Sequence, residues 1–263
     1  MRLLLSRILS LILAGRSRVL LSRQELDDLL SEKAQTDKEL QFARLSIAMA
    51  GGQPDEFKRL VSSSQSQLGQ DLFAFVAAGR KREGFFVEFG AGDGISLSNT
   101  FLLERELGWS GILVEPLHGY HASIRQNRNA VLDSRCVWRA SGETLDLVAA
   151  GYLSTIEEFR DADLHASARA SRQTTSVETV SLWDLLYQHG APSAIDFLSI
   201  DTEGSEYEIL SAFPFGEGYS IQAIACEHNF SPTREAIFEL LSGVGYERVM
   251  PGLSGHDDWY ILA

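Results

Sequence analysis

Residues 84–104 read GFFVEFGAGDGISLSNTFLLE, and this stretch decides the fold. An apolar run carrying the acid Glu88 is followed by Gly90, Ala91, Gly92, Asp93 and Gly94, and then by a helix-like pattern. In an open α/β sheet, ligands bind beyond the carboxyl ends of the parallel strands. Glycine at such an end permits positive φ and a close approach of backbone to ligand. On its own a glycine-rich loop is a weak signal, because a plain tight turn needs the same residues.

The neighbouring acids narrow the ligand. Glu88 at the strand end and Asp93 inside the loop would repel a pyrophosphate and attract an ammonium or sulfonium group. The segment GILVEP (111–116) then puts Glu115 at the tip of a second strand, where a carboxylate accepts both hydroxyls of an adenosine ribose. A glycine turn, acids near a cation and a ribose-binding acid together describe S-adenosylmethionine better than a dinucleotide. The bland alternative leaves Glu88 and Glu115 as strand-end acids facing water. An oxidoreductase using NAD is disfavoured by the acidic loop and by Gly94, which falls one residue early for G-x-G-x-x-G.

Working outward, strands are expected at residues 85–89, 111–115, 135–138, 195–201 and 221–227, and helices at 98–107, 118–127, 205–212 and 233–242. Near-continuous apolar strands alternating with amphipathic helices mean a parallel sheet covered on both faces. The end breaks this rhythm. GYERVM (245–250) and DWYILA (258–263) are joined by a link too short for a crossover helix, so they form an antiparallel pair. The expected fold is α/β: an open, mostly parallel seven-stranded sheet with helices on both faces and a C-terminal antiparallel hairpin, plus an N-terminal helical extension.

The extension is assigned to residues 1–60 and the main domain to 61–263. Residues 1–23 scatter Arg2, Arg7, Arg16, Arg18 and Arg23 among leucines, which suits a helix on a membrane surface or on a partner. Their apolar core is far short of a spanning helix, and Arg7 interrupts any signal-peptide core. Residues 24–50 read as a further helix, stopped by AGGQP (50–54), and SSSQSQ (62–67) reads as a polar joint. Peripheral membrane contact and homodimerisation through residues 1–50 are the alternatives for this region.

Bulk properties exclude some classes. The 263 residues carry a formal net charge of −13 and are 44% hydrophobic. The chain is globular, and without a basic surplus nucleic acid is not the expected partner. Two cysteines, Cys136 and Cys226, lie in apolar runs and read as buried thiols, favouring a reducing, cytoplasmic compartment.

FFVEFGAGDGISLSNTFLLERELGWSGILVEP (85–116), IDFLSIDTEGSEYEIL (195–210) and SQLGQDLF (66–73) together resemble the FkbM-type methyltransferases, a branch of the class I S-adenosylmethionine-dependent fold. The resemblance runs from about residue 65 to 262. It implies methyl transfer to a hydroxyl, commonly on a sugar, glycan or secondary metabolite. By position it implies Glu88, Gly90, Ala91, Gly92 and Asp93 around the methionine moiety and Glu115 on the ribose. Ser141 and Glu143, after the third strand, would approach the adenine. Asn99 would either reach the ligand's carboxylate or cap the following helix.

Two further strand ends meet the same crevice. Asp201 and Glu203 end one, and Glu227, His228 and Asn229 end the next. His228 is the first candidate for the base that takes the acceptor's proton, on its ordinary pKa near 6.5, and Asp201 the second, beside the cofactor. Asp201, Glu203, Glu227 and His228 would also suit a divalent ion, but the spacing is not that of a tight ligand set, and a metal is not favoured. Glu203 and Glu206 also fit a plain helix start. The turn with His256, Asp257 and Asp258 is expected over the crevice as an acceptor contact. Residues 153–176 read as a substrate lid, and His118 and His121 as surface residues. The rival to an enzyme is a binding module on the same fold, tethered by its N-terminal helix.

Overall fold

The computed structural model describes residues 54–161 and 166–263. The expected helices within residues 1–50 lie outside them. Among the described residues, no helix is long and apolar enough to cross a membrane. In chain order the elements are α1 (Pro54–Ser63), α2 (Gln70–Ala77), β1 (Phe85–Phe89), α3 (Phe101–Leu107), β2 (Ser110–Val114), α4 (His118–Asn127), β3 (Val131–Asp133), β4 (Cys136–Trp138), β5 (Thr144–Val148), β6 (Thr155–Ile156), α5 (Ala166–Arg169), β7 (Thr174–Ser181), α6 (Leu182–Gln188), β8 (Ala194–Ile200), α7 (Glu206–Ala212), β9 (Ser220–Glu227), α8 (Arg234–Gly243), β10 (Tyr246–Val249) and β11 (Asp257–Leu262).

Seven strands form one mixed sheet in the order β10-β11-β9-β8-β1-β2-β3. The β3, β2, β1, β8 and β9 pairings are parallel, and β11 runs antiparallel to both β9 and β10. Side chains alternate across the pleat, so each central strand feeds two cores. Val87, Val114 and Leu198 pack with Leu185 and Leu186 of α6, Leu210 of α7 and Leu241 of α8. On the other face Phe86, Leu113 and Phe197 pack with Leu72 and Phe73 of α2 and Leu102 and Leu103 of α3. Phe73 stacks on Trp259 of β11 with ring centroids 4.8 Å apart, which fixes the start of α2 beside the start of the last strand.

Several expectations are corrected. The third strand of the main sheet is β3, at 131–133, not 135–138. The latter segment is β4, which turns away into a four-stranded sheet ordered β4-β7-β5-β6. Two short strands separated by two residues merge into one apolar signal, which hid the change of sheet. The domain also starts before residue 61: Phe57 and Leu60 of α1 are fully buried in the second core. The serine-rich run is no joint, because Ser64 and Ser66 donate hydroxyl hydrogen bonds to the buried carboxylate of Asp71. Residues 153–176, expected as a lid, contribute β6, α5 and the start of β7. They are tied down by Arg169, a fully buried side chain whose Nε donates to the Leu153 carbonyl at 2.6 Å.

Asp133, at the carboxyl end of β3, takes two side-chain hydrogen bonds from Arg135 and a contact from His189 Nε2 at 2.8 Å. Burial opposes its charge, but these partners outweigh it and hold the carboxyl at about 2. A depressed carboxylate stabilises the fold above its ordinary pKa, and the benefit fades as pH falls through the depressed value. Asp133→Asn is therefore expected to cost on the order of 2 kcal/mol in urea unfolding at neutral pH. The gap to the unmodified protein should narrow steadily below about pH 4; an unchanged gap down to pH 3 would contradict this.

Candidate active site

The site begins with the loop after β1. The amides of Gly90 and Ala91 both donate to the Val114 carbonyl at the end of β2, at 3.1 and 3.2 Å. That folds the loop over the carboxyl edge of the sheet. Gly90 has φ 73° and Gly92 φ 54°, a region that favours glycine. A methyl group at Gly90 would strike the Asp201 backbone carbonyl, and one at Gly92 would strike the Tyr152 ring. Gly92 N donates to Glu115 Oε2 and Leu117 N to Glu115 Oε1, each at 2.8 Å. Glu115 is thereby fixed with lone pairs still open on both oxygens. Burial, with Asp201 adding a smaller repulsion, raises its pKa to about 7 despite those amides.

Two adjoining pockets flank this loop. The larger, about 290 Å³, is lined by Gly90, Asn99, Tyr152, Gln67 and Gln70 and by the acids Glu88, Asp201, Glu203, Glu227 and Asp257. The smaller is a slot lined by Glu115, Pro116, Val137, Leu147 and Ile156 among others. Gly90, Tyr152 and Asp201 line both. An apolar slot ending on a carboxylate suits an adenosine, and a carboxylate-lined chamber next to it suits a positively charged sulfur and ammonium. Their donor sets thus fit S-adenosylmethionine.

Neutralisation sorts the acids. Glu88 accepts from Asn99 N at 2.7 Å and Ser98 Oγ at 3.0 Å, and Arg128 Nη1 lies 3.8 Å away. Arg128 is itself fully buried, bonded through Nε to Glu104 at 2.8 Å and through Nη1 to the Gly94 carbonyl at 2.9 Å. Glu203 is paired with Arg169 at 2.7 Å. Asp258 is held by Arg234 and Arg248. Nothing in the sequence singled out Arg128 or Arg169, because their partners are distant in the chain.

No arginine or lysine ion pair involves Asp201, Glu227 or Asp257 among the described residues. Burial raises Asp201 to about 6 and Asp257 to about 7, a hydrogen bond from Gln70 Nε2 opposing the rise at Asp257. Glu227 is pushed far higher, by burial first and then by the charge of Asp201. Burial thus disfavours charge on both Asp201 and Glu227, more strongly on Glu227. Asp201, Glu203 and Glu227 place one oxygen each within 4.8 Å of one another, as do Glu227, His256 and Asp257 with one ligand atom apiece.

Other expected site residues take different places or roles. Asp93 lines neither pocket; its carboxylate accepts from Ile95 N, Ser96 N and Ser96 Oγ and shapes the turn. Ser141 and Glu143 sit on the exposed turn before β5, with Ser141 bonded to Asp184. They were placed from a third strand at 135–138, and that strand belongs to the other sheet. Asn99 does not cap α3, which starts at Phe101 with Ser98 Oγ accepting from its amide. Its Nδ2 donates to Ser199 Oγ, and its buried Oδ1 has no hydrogen-bond partner among the described residues. Glu206 accepts from Thr202 N and Gly204 N, which confines it to the start of α7.

The histidines are reassigned too. His228 lines neither pocket but a neighbouring cavity with Phe159, Pro232 and Thr233, which shares Glu227 and Asn229 with the larger pocket. Its Nδ1 accepts the Phe230 amide at 2.9 Å, so the neutral ring carries its proton on Nε2, 3.8 Å from Asp258. Burial lowers its pKa further. It has no free nitrogen with which to take a proton from an acceptor in the crevice. His121 is buried, with Nε2 2.7 Å from the Glu115 carbonyl, whereas His118 is exposed.

Comparison with known proteins gives the family. A family model described as the methyltransferase FkbM domain matches residues 88–254. No curated protein matches the chain. Among solved structures, the SAH-bound Podospora anserina methyltransferase PaMTH1 is 12% identical, over 94% of this chain and 99% of that one, with a TM-score of 0.41. The precorrin-6y C5,15-methyltransferase from Geobacter metallireducens GS-15 is 14% identical, over 67% and 70%, with a TM-score of 0.35. These superpositions are loose, and the family match alone carries the assignment.

Replacing Arg128 by leucine would leave Glu88 and Glu104 buried without their counter-charge, a change that costs about 3–5 kcal/mol. A melting temperature lowered by roughly 10 °C is expected. A melt within a degree or two of the unmodified protein would show that the arginine is not what holds the loop.

Proposed function

The chain belongs to the FkbM methyltransferase family, and from that premise we propose that it is an S-adenosylmethionine-dependent O-methyltransferase acting on a hydroxyl of a sugar, glycan or related secondary metabolite. The observation that carries the acceptor class is the wall of the larger pocket away from the glycine loop. Gln67, Gln70, Asn229, His256, Glu227 and Asp257 line it, so hydrogen-bonding groups face the space where an acceptor would lie. A ligand rich in hydroxyls satisfies such a wall, whereas an apolar ligand would strand its polar groups.

When bound, S-adenosylmethionine supplies a methyl group on a positively charged sulfur. Glu115 would hold the ribose hydroxyls, since its carboxylate is already oriented by two backbone amides. Val137, Leu147 and Ile156 would flank the adenine. Gly90 and Gly92 would let the backbone close on the ligand, with Tyr152 packed over Gly92. Asp201 lines both pockets, so it stands where cofactor and acceptor meet. There it would accept the proton that the acceptor hydroxyl gives up, a general-base role.

Calorimetry tests the cofactor assignment. S-adenosylmethionine is expected to bind with micromolar affinity, to resist competition by NAD, and to lose measurable binding in Glu115→Ala. No binding to the intact chain would overturn the reading. With a panel of sugar acceptors, Asp201→Asn is expected to lower methyl transfer about 100-fold or more. Unchanged turnover in that variant would remove Asp201 from the proton's path.

A further inference from the structure

Glu227 ends β9 and Asp257 begins β11, and the antiparallel register sets them directly opposite each other. Residues opposite in a ladder project to the same face, and like charges in that position are destabilising. Both side chains are buried, at 9% and 4% exposure. Elsewhere the protein meets this problem with arginine: Glu88 and Glu104 have Arg128, Glu203 has Arg169, and the adjacent Asp258 has Arg234 and Arg248. At the Glu227–Asp257 pair it supplies none among the described residues.

A second observation points to a ligand. Glu227 Oε2 is buried and has no hydrogen-bond partner among the described residues, although its side chain lines the larger pocket. Leaving such an acceptor unpaired is costly. His256 brings Nε2 to 3.9 Å from Asp257 Oδ1. Glu227, His256 and Asp257 each offer one ligand atom, all within 4.8 Å of one another. Asp257 is oriented through its other oxygen by Gln70 Nε2 at 2.8 Å. A hydrogen bond of that kind, from outside the ligand set, is what commonly fixes a metal-binding carboxylate.

We propose that Glu227, His256 and Asp257 form a divalent-cation site on the acceptor side of the crevice. Two carboxylates and an imidazole are a mixed hard and borderline donor set, suited to Mn²⁺ and to neighbouring first-row ions. Three protein ligands leave coordination positions open towards the pocket, as a catalytic site requires. For its purpose the inference rests on the acceptor reading above. A sugar hydroxyl bound to the cation becomes a stronger acid, and its proton passes to Asp201, whose carboxylate oxygen lies within 4.8 Å of a Glu227 oxygen. The set differs from the one expected from sequence. Glu203 is neutralised by Arg169, and His228 Nδ1 is occupied by the Phe230 amide.

The test uses Mn²⁺ alone, with no cofactor or acceptor, and follows free Mn²⁺ by electron paramagnetic resonance. One bound ion per chain is expected. Glu227→Gln, Asp257→Asn and His256→Gln should each weaken it at least about tenfold, while Glu143→Gln, an exposed acid outside the pocket, should not. His256 is about one-third exposed, so its variant keeps the fold even if a carboxylate variant does not. No retention at millimolar Mn²⁺ by the intact chain would overturn the proposal, and so would equal affinity in the intact chain and His256→Gln. S-adenosylmethionine binding measured in parallel separates the two readings. Cofactor bound without Mn²⁺ defeats the cation site alone; Mn²⁺ bound without cofactor defeats the methyltransferase reading and leaves the site standing.

Discussion

Burying carboxylates beside the glycine loop is the constraint on which the rest of this structure depends. An isolated ionised carboxylate in a protein interior is prohibitively costly, and this crevice gathers Glu88, Asp201, Glu203, Glu227 and Asp257 around one chamber. The fold meets the cost in two ways. Arg128 reaches from the end of α4 to the acids of β1 and α3 and to the Gly94 carbonyl, so one cation both neutralises the interior and fixes the loop. Arg169 does the same for Glu203 and for the segment around Leu153. Among the described residues, Asp201, Glu227 and Asp257 are left without an arginine or lysine, and they line the larger pocket, which a cationic ligand would enter.

The central architecture was legible because it rests on local signals. Apolar runs of strand length, amphipathic helices and a glycine turn are each readable within a dozen residues. A final hairpin too short for a crossover has one geometry open to it. The place of Glu115 beside the glycine loop was legible for the same reason, since it follows directly on a strand. What stayed hidden is non-local. Arg128 and Glu88 are far apart in sequence, and so are Arg169 and Glu203. The second sheet was missed because β4 follows β3 after two residues, and because β5 and β7 each bury only part of their length.

The histidines show the limit of residue type as evidence. His228 sits beside Glu227 in sequence, but its Nδ1 is taken by the Phe230 amide and its ring does not line the larger pocket. His256, from the far side of the hairpin turn, enters the crevice instead. A lone histidine next to a strand end therefore says little until its hydrogen bonds are known. The same logic moved Ser141 and Glu143 out of the site: once the third strand is β3, the turn before β5 no longer follows the sheet edge.

The central claim is that one crevice, divided by Gly90, Tyr152 and Asp201, holds the cofactor across both of its pockets. A crystal structure with S-adenosylhomocysteine tests it most directly. The account predicts the ribose hydroxyls on Glu115, the base between Val137 and Ile156, and the sulfur facing Asp201. A ligand bound with its ribose away from Glu115, or with its sulfur turned from Asp201, would contradict it.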